Sequence, residues 1–221
     1  GRRADRATDL RDRTKESGTN NVRELLARLN PTVARLDGAA GGGVVELSNI
    51  DISGALGMVP AGIGRDLLEL LHGPDPSRGD ILRVLEGITR MALEERNRRS
   101  KDYADARATW GIAECMARFN RDREERTVRH LEILKARVAI ARDRLWPERL
   151  EERMPEIATV AIGYMKGERL SNRERATALG VGDSTYREGW AEVVDWLLTQ
   201  MLEAEQCAAN RFCHALQQSA A

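Results

Sequence analysis

A short segment between positions 184 and 191 carries side chains that could hydrogen-bond specifically to a ligand. Ser184, Arg187, Glu188 and Ala191 recur three and four residues apart, so on an α-helix they share one face. A polar face of this kind is typical of a helix that meets base edges in the DNA major groove. The pattern therefore predicts a recognition helix that turns these residues toward DNA.

A recognition helix must be held against a preceding helix, and the sequence before it has the signals for that turn. Ser171 followed by Glu174 forms a capping box that starts the first helix. Gly180 can adopt a positive φ and end that helix without steric cost. Asp183 or Ser184 then caps the second helix. We expect a helix, a turn at Gly180 and a second helix.

Apolar residues of the same stretch, Leu170–Leu197, predict which side is buried. Ala176 is small enough for two helices to cross there, and Leu179 and Val181 flank the turn. Arg175 departs from the pattern, because motifs of this kind usually bury an aliphatic residue at that position. A stripe at helical spacing follows in the second helix: Tyr186, Trp190, Val193, Val194 and Leu197.

The charge of the chain is balanced, which limits how strongly it is drawn to nucleic acid. Among 221 residues there are 35 Lys and Arg and 35 Asp and Glu, and the pI is about 7.0. Any DNA contact must therefore come from local basic clusters, whose default is to face water. Two clusters are candidates: Arg96, Arg98, Arg99 and Lys101, and Arg121, Arg123, Arg126 and Arg129.

Residues that could support catalysis or bind a metal are scattered. His72, His130 and His214 are far apart in sequence, and paired glutamates lie beside arginines, which favours surface ion pairing. The cysteines lack the close spacing of a zinc or redox motif, which predicts free thiols in a reducing cytoplasm. They are Cys115, Cys207 and Cys213. We expect no enzyme activity, no catalytic residues, no metal and no cofactor.

The hydrophobic pattern predicts an all-α fold, with a multi-helix body, a C-terminal helix-turn-helix and a long terminal helix. Residues 1–46 are predicted to form a flexible arm with a short helix and a glycine-rich linker, in which whatever precedes the linker is tethered rather than packed. Residues 47–152 are predicted to form the helical body, and 153–221 the DNA-binding region with the terminal helix. Charges interrupt the apolar run 52–71, so no membrane span is expected.

Several helix boundaries follow from the same pattern. Helices are expected to open at Pro60 and Pro155, and Asp80 is expected to cap another. The helical pattern is continuous over 101–145, except for a charged segment that is either a solvated face or a bend between two antiparallel helices. The terminal helix is long for a compact domain, which predicts a kink or break near Gln206.

With these elements in order, the chain resembles the Q antitermination proteins of lambdoid bacteriophages. One region of similarity is residues 47–71, LSNIDISGALGMVPAGIGRDLLELL, followed by the connector NRRSKD and the helix ATWGIAECMARF. The other is the turn motif and the long helix that contains Cys207. Together they span most of residues 47–216. Where the lambda-type protein has a cysteine-bounded zinc lobe, this chain has Asn120–Glu152, so zinc is not implied here.

The resemblance implies a specific function. Q proteins bind a DNA element at the phage late promoter, join RNA polymerase paused just downstream, and let it read through terminators. For this chain the implied partners are promoter-proximal double-stranded DNA, bacterial RNA polymerase with its sigma factor and further copies of the chain, in the cytoplasm of the bacterial host. The implied base contacts are Ser184, Thr185, Arg187, Glu188 and Ala191, and the implied phosphate contacts are Lys166, Arg173 and Arg175.

Two other functions stay open. A helix-turn-helix repressor, or a phage packaging subunit of the small-terminase kind, would use the same motif, and such proteins usually oligomerise symmetrically on DNA. A helical interaction protein with no role on DNA would show the same pair of helices joined by a glycine turn.

Overall fold

The computed structural model describes residues 22, 25, 26, 48–73, 77–119 and 125–219, and within these ranges it contains helices and no strand. The predicted all-α fold is confirmed. None of the helices in this part is long and apolar enough to cross a membrane. The helices are α1 (Asn49–Met58), α2 (Ile63–His72), α3 (Arg78–Phe119), α4 (Glu125–Asp143), α5 (Leu150–Met165), α6 (Asn172–Ala178), α7 (Asp183–Thr185) and α8 (Ala191–Ser219), with a π-helical turn, Tyr186–Trp190, joining α7 to α8.

Reciprocal hydrogen bonds between a serine and an acidic residue start α1 and α3. The Ser48 N–H donates to the Asp51 carboxylate at 2.9 Å, and the Asp51 N–H donates to the Ser48 hydroxyl at 3.2 Å. Ser77 and Asp80 make the same pair of bonds at the start of α3. Asp80 therefore lies inside the helix. The cap is Ser77, and the prediction of a cap at Asp80 is wrong. Each pair satisfies two backbone donors that the helix leaves free.

Two helices do not begin at the prolines that were predicted to open them. α2 begins at Ile63, three residues after Pro60. α5 begins at Leu150, so Pro155 lies inside the helix rather than at its start. A proline inside a helix removes one backbone hydrogen bond. Burial of Leu150 and Met154 in the core stabilises the extra turn and offsets that loss.

α3 and α4 form an antiparallel hairpin. α3 is a single helix of 42 residues, so it also contains the segment that was predicted as a separate helix before Lys101. At the base of the hairpin, the Arg99 guanidinium donates to the Arg144 carbonyl oxygen at 3.0 Å. At the other end the two helices are joined through residues 120–124, which lie outside the described part. Of the charged segment, residues 125–130 belong to α4, and the part that would contain the bend lies outside the described residues.

α8 passes through two hydrophobic clusters. The first packs α8 against α2, α3, α5 and α6, and the second packs its last turns against α1 and α2. The helix runs unbroken to Ser219, so of the predicted kink or break near Gln206, the break is wrong. A break is unnecessary because each half of α8 has its own apolar cover, with Val193 and Leu197 in the first cluster and Phe212 in the second.

The predicted regions 47–152 and 153–221 share one core. Position 153 lies inside α5, and residues from both sides of it belong to the first cluster. Three positions of the predicted arm, Val22, Leu25 and Leu26, are buried in the second cluster, so this part is packed rather than tethered. Their spacing places them on one helical face, so all three can pack in the second cluster. The rest of 1–46, including the predicted linker, lies outside the described residues.

The backbones of α2 and α8 touch at Gly64. A Cβ added there would lie 2.5 Å from the Ala204 carbonyl oxygen and 3.1 Å from the Ala208 Cβ. Atoms in proteins do not pack that closely, so only glycine fits at this crossing. The close contact between α2 and α8 therefore requires glycine at position 64.

Gly64→Ala should destabilise the protein by about 1–3 kcal/mol, because the added methyl group pushes α2 away from α8. Gly54→Ala in α1 is the matched control, since an added Cβ there meets nothing within 4 Å. The control should raise stability by about 0.5–1 kcal/mol through helix propensity. Urea unfolding followed by circular dichroism measures both. Equal effects of the two substitutions would show that the crossing is not tight.

Candidate nucleic-acid interface

The turn after α6 has the geometry that its sequence predicted. α6 begins with the capping box expected from its first residues. At its end Gly180 has a φ of 65°. The N–H groups of Gly180 and Val181 donate to the carbonyl oxygens of Thr177 and Ala176, both at 3.0 Å. These two bonds form a Schellman motif, in which the glycine ends the helix and redirects the chain.

The second helix begins at Asp183 without a side-chain cap, so the predicted cap at Asp183 or Ser184 is wrong. Gly182 precedes the helix, and its carbonyl oxygen accepts from the Tyr186 N–H at 2.9 Å. The Asp183 carboxylate instead pairs with the Arg187 guanidinium at 2.7 Å, one turn further along. In the first turn its negative charge also interacts favourably with the helix dipole.

One side of the second helix is buried, and it carries the predicted stripe. These residues pack in the first cluster together with Ala176 and Leu179 of α6, so apolar contact holds the two helices together. Burial raises the pKa of Tyr186, and the neighbouring Arg175 guanidinium opposes that shift. The stripe consists of Tyr186, Trp190, Val193, Val194 and Leu197, all 6% exposed or less.

The other side of the second helix is open to solvent. Ser184, Thr185, Arg187 and Glu188 are exposed, and Ala191 is half-buried. The Arg187 side chain is 64% exposed. Hydroxyl, guanidinium and carboxylate groups therefore share one surface next to the turn. Their contact with DNA stays a prediction.

The three predicted phosphate contacts differ in their surroundings. Lys166 and Arg173 are exposed, whereas the Arg175 side chain is only 15% exposed. Arg175 Nε donates to the Leu170 carbonyl oxygen at 3.1 Å, and its guanidinium lies 3.7 Å from the Asp195 carboxylate. A phosphate could bind the Arg175 guanidinium only if these contacts were broken. Its aliphatic stem lies where an aliphatic residue was expected, so we withdraw it as a phosphate contact.

Tyr164 brings two arginines together in a way that the sequence did not indicate. The Arg169 guanidinium lies 4.5 Å from the centre of the Tyr164 ring, and that of Arg175 lies 5.6 Å away. A cation over an aromatic face is attracted by the ring quadrupole. Arg169 belongs to the loop between α5 and α6, for which helical periodicity makes no prediction. This exposed arginine adds positive charge beside Lys166 and Arg173.

The basic cluster predicted at 96–101 is largely engaged within the protein. The Arg99 guanidinium lies 4.5 Å from the Trp146 ring and pairs with the carboxylates of Glu95 and Glu192. Arg98 also pairs with Glu95. These contacts join α3 to α8 and to the segment after α4, which is a structural role.

Arg121 and Arg123 of the other predicted basic cluster lie outside the described residues. The described members of that cluster are exposed: Arg126 and Arg129.

His72 and Glu205 form a pair that the sequence could not reveal, because they are 133 positions apart. Their side chains meet at 2.8 Å between α2 and α8 and are mostly buried.

In the described part of the chain, no three His, Cys, Asp or Glu side chains form a group that could hold a metal ion. Cys115 and Cys207 are exposed free thiols, and burial raises the pKa of the Cys213 thiol.

No protein-family model, curated protein or solved structure matches the chain. The resemblance to the Q antitermination proteins therefore stays a prediction made from the sequence. The structure itself contributes an exposed polar helix face, a Schellman turn that precedes it and three exposed basic side chains between positions 166 and 173: Lys166, Arg169 and Arg173.

Glu174→Gln should destabilise the protein more at neutral pH than at acidic pH. The Ser171 hydroxyl and N–H both donate to the Glu174 carboxylate, and these bonds lower its pKa. A group whose pKa is lower in the folded state stabilises the protein above its unfolded pKa. That contribution is lost as the pH falls through the folded pKa. Glutamine preserves the cap geometry without the charge.

The melting temperatures of the two proteins should therefore converge as the pH falls below about 4. Glu132→Gln, at an exposed carboxylate of α4, is the matched control and should show no such convergence. Thermal unfolding followed by circular dichroism over a pH series measures the difference. A gap between wild type and Glu174→Gln that is constant with pH would contradict the role of this carboxylate.

Proposed function

We propose that this protein is a phage late-gene transcription antiterminator that binds promoter-proximal DNA and promotes terminator readthrough. The observation that carries the DNA-binding part is the exposed row around Arg187, on a helix whose opposite side is buried and which begins just after the Gly180 turn. The resemblance in element order to the Q proteins supports the transcriptional part.

In this proposal Arg187 is the main base contact. An arginine can donate two hydrogen bonds to O6 and N7 of a guanine in the major groove. In the free protein the same guanidinium is paired with Asp183, so DNA must replace that carboxylate. Ser184 and Thr185 add hydroxyl groups that can donate or accept, and Glu188 adds an acceptor one turn from Ser184.

Lys166, Arg169 and Arg173 are the phosphate contacts of the proposal, with Arg169 taking the place of Arg175. Few phosphate contacts and a balanced net charge imply weak DNA binding, with a salt dependence that is shallow because few counterions are released. A protein that contacts DNA and polymerase together gains from the high effective concentration of the second contact. The resemblance to the Q proteins makes bacterial RNA polymerase with its sigma factor, in the host cytoplasm, the second partner in this proposal.

Readthrough in a purified transcription system is the test of the proposed function. The binding site is first selected by the wild-type protein from a pool of random duplexes, and is then placed at a promoter upstream of a terminator. The protein should raise the fraction of transcripts that pass the terminator. Folded protein that binds the site and leaves termination unchanged would refute antitermination. A tight footprint on a palindrome without polymerase would indicate a repressor or a packaging subunit.

Substitutions at the Asp183–Arg187 pair test the DNA contact separately. Arg187→Ala should weaken binding to the selected duplex by about 1–3 kcal/mol, whereas Asp183→Asn should strengthen it, because it frees the guanidinium and removes a negative charge. Arg211→Ala, at an exposed arginine elsewhere on α8, is the matched control and should change little. Fluorescence anisotropy at fixed salt measures all three. If Arg187→Ala binds as tightly as wild type, this helix face does not read DNA.

A further inference from the structure

The outer half of α3 exposes large apolar side chains. Ile112, Met116 and Phe119 are 63%, 65% and 82% exposed. The sequence from Ala108 to Ala117, ATWGIAECMA, contains a single charged residue. A helix that is apolar on all sides is normally covered on all sides, whereas α4 covers only one side of this one. The exposed side is therefore a candidate interaction surface.

Helical spacing divides this part of α3 into two rows. The inner row is the less exposed one and packs on α4: Tyr103, Ala106, Trp110, Ala113 and Ala117. The outer row is exposed and recurs at intervals of four, three and four residues, as in a coiled coil: Ala104, Ala108, Gly111 and Cys115. An added Cβ on Gly111 would meet nothing within 4 Å, so the space in front of the row is open. Small residues would let another helix approach closely, while Ile112, Met116 and Phe119 beside them supply apolar area.

The charges beside the outer row favour a second copy of α3 in antiparallel orientation. Arg107 and Glu114 lie on the same flank, seven residues apart. Between antiparallel helices these equivalent positions face each other, so Arg107 meets Glu114 of the second copy, and two-fold symmetry repeats the pair. Between parallel helices Arg107 would face Ile112 and Glu114 would face Phe119, which pairs no opposite charges.

We infer that the protein forms a two-fold dimer in which the outer row of α3 packs antiparallel against the same row of a second copy. Ala108 of one copy lies opposite Gly111 of the other, and Ala104 lies opposite Cys115. Lys101 and Arg118 lie just beyond the two ends of the row, where this register brings them opposite each other; both side chains are exposed and can bend away into water. Arg118 also pairs with Glu114 of its own helix at 3.1 Å, and the second copy's Arg107 would add to that pair. This inference stands apart from DNA binding, because it uses residues on a different helix.

Charge reversal on the full-length protein tests the orientation. Arg107→Glu and Glu114→Arg should each raise the dimer dissociation constant about tenfold, because each sets like charges opposite one another. The double variant Arg107→Glu/Glu114→Arg should recover most of the wild-type affinity. Arg129→Glu, at an exposed arginine of α4, is the matched control. Analytical ultracentrifugation measures the constants, and circular dichroism confirms that each variant is folded.

A disulfide trap tests the register. In a Cys207→Ser/Cys213→Ser background, Ala104→Cys should form a covalent dimer with Cys115 of the second copy on mild oxidation with copper phenanthroline. Ala136→Cys, at an exposed alanine of α4, is the control and should not. Ile112→Glu should abolish both the trap and the dimer, while Ile140→Glu, at an exposed isoleucine of α4, should preserve them.

Three results would overturn the inference. A monomer at every concentration measured would show that the outer row has no second copy as its partner. A dimer that tolerates Ile112→Glu would place the interface elsewhere. If Ile112→Glu disrupts the dimer, but the double charge reversal does not recover the affinity that the single reversals lose, the antiparallel pairing is excluded.

Discussion

The close contact between α2 and α8 at Gly64 sets the geometry of both hydrophobic clusters. Because Gly64 has no side chain, the Ala204 carbonyl oxygen can occupy the space that a Cβ would need. The helices then cross closely enough for neighbouring residues of α2 to fill different clusters, with Leu67 in the first and Leu68 in the second. A wider crossing would loosen both clusters at once, since α8 runs through both.

α8 also determines how the candidate interface is presented. The π-helical turn connects α7 to α8, and the residues at its two ends, Tyr186 and Trp190, are both buried. Between them Arg187 and Glu188 face solvent. A π-turn holds more residues per turn than an α-helix, so it changes which positions share a side. The direction of the Arg187 side chain therefore follows from the packing beneath it rather than from a loop.

The features that could be predicted from the sequence are those with a local cause. The capping box at Ser171 and the positive φ of Gly180 need only neighbouring residues, and the buried stripe follows the helical period. Two further features depend on distant partners and could not be predicted. Arg175 lies 3.7 Å from Asp195, twenty positions away, and apolar cover from another part of the chain keeps α8 helical past Gln206. In the candidate interface, helical periodicity predicted which side chains are exposed. Which charged side chains are paired within the protein could be learned only from the fold.

The second cluster determines when the chain can finish folding. It joins Val22 and Leu26 to Phe212 and Leu216, roughly 190 positions apart in the sequence. During synthesis, Ile52 and the other early residues of this cluster lack the apolar cover that Phe212 provides until the last turns of α8 have been made. Closing so long a loop is slow, because its entropic cost must be met before the contacts form. The second cluster is therefore expected to form late, after those turns of α8 have been made.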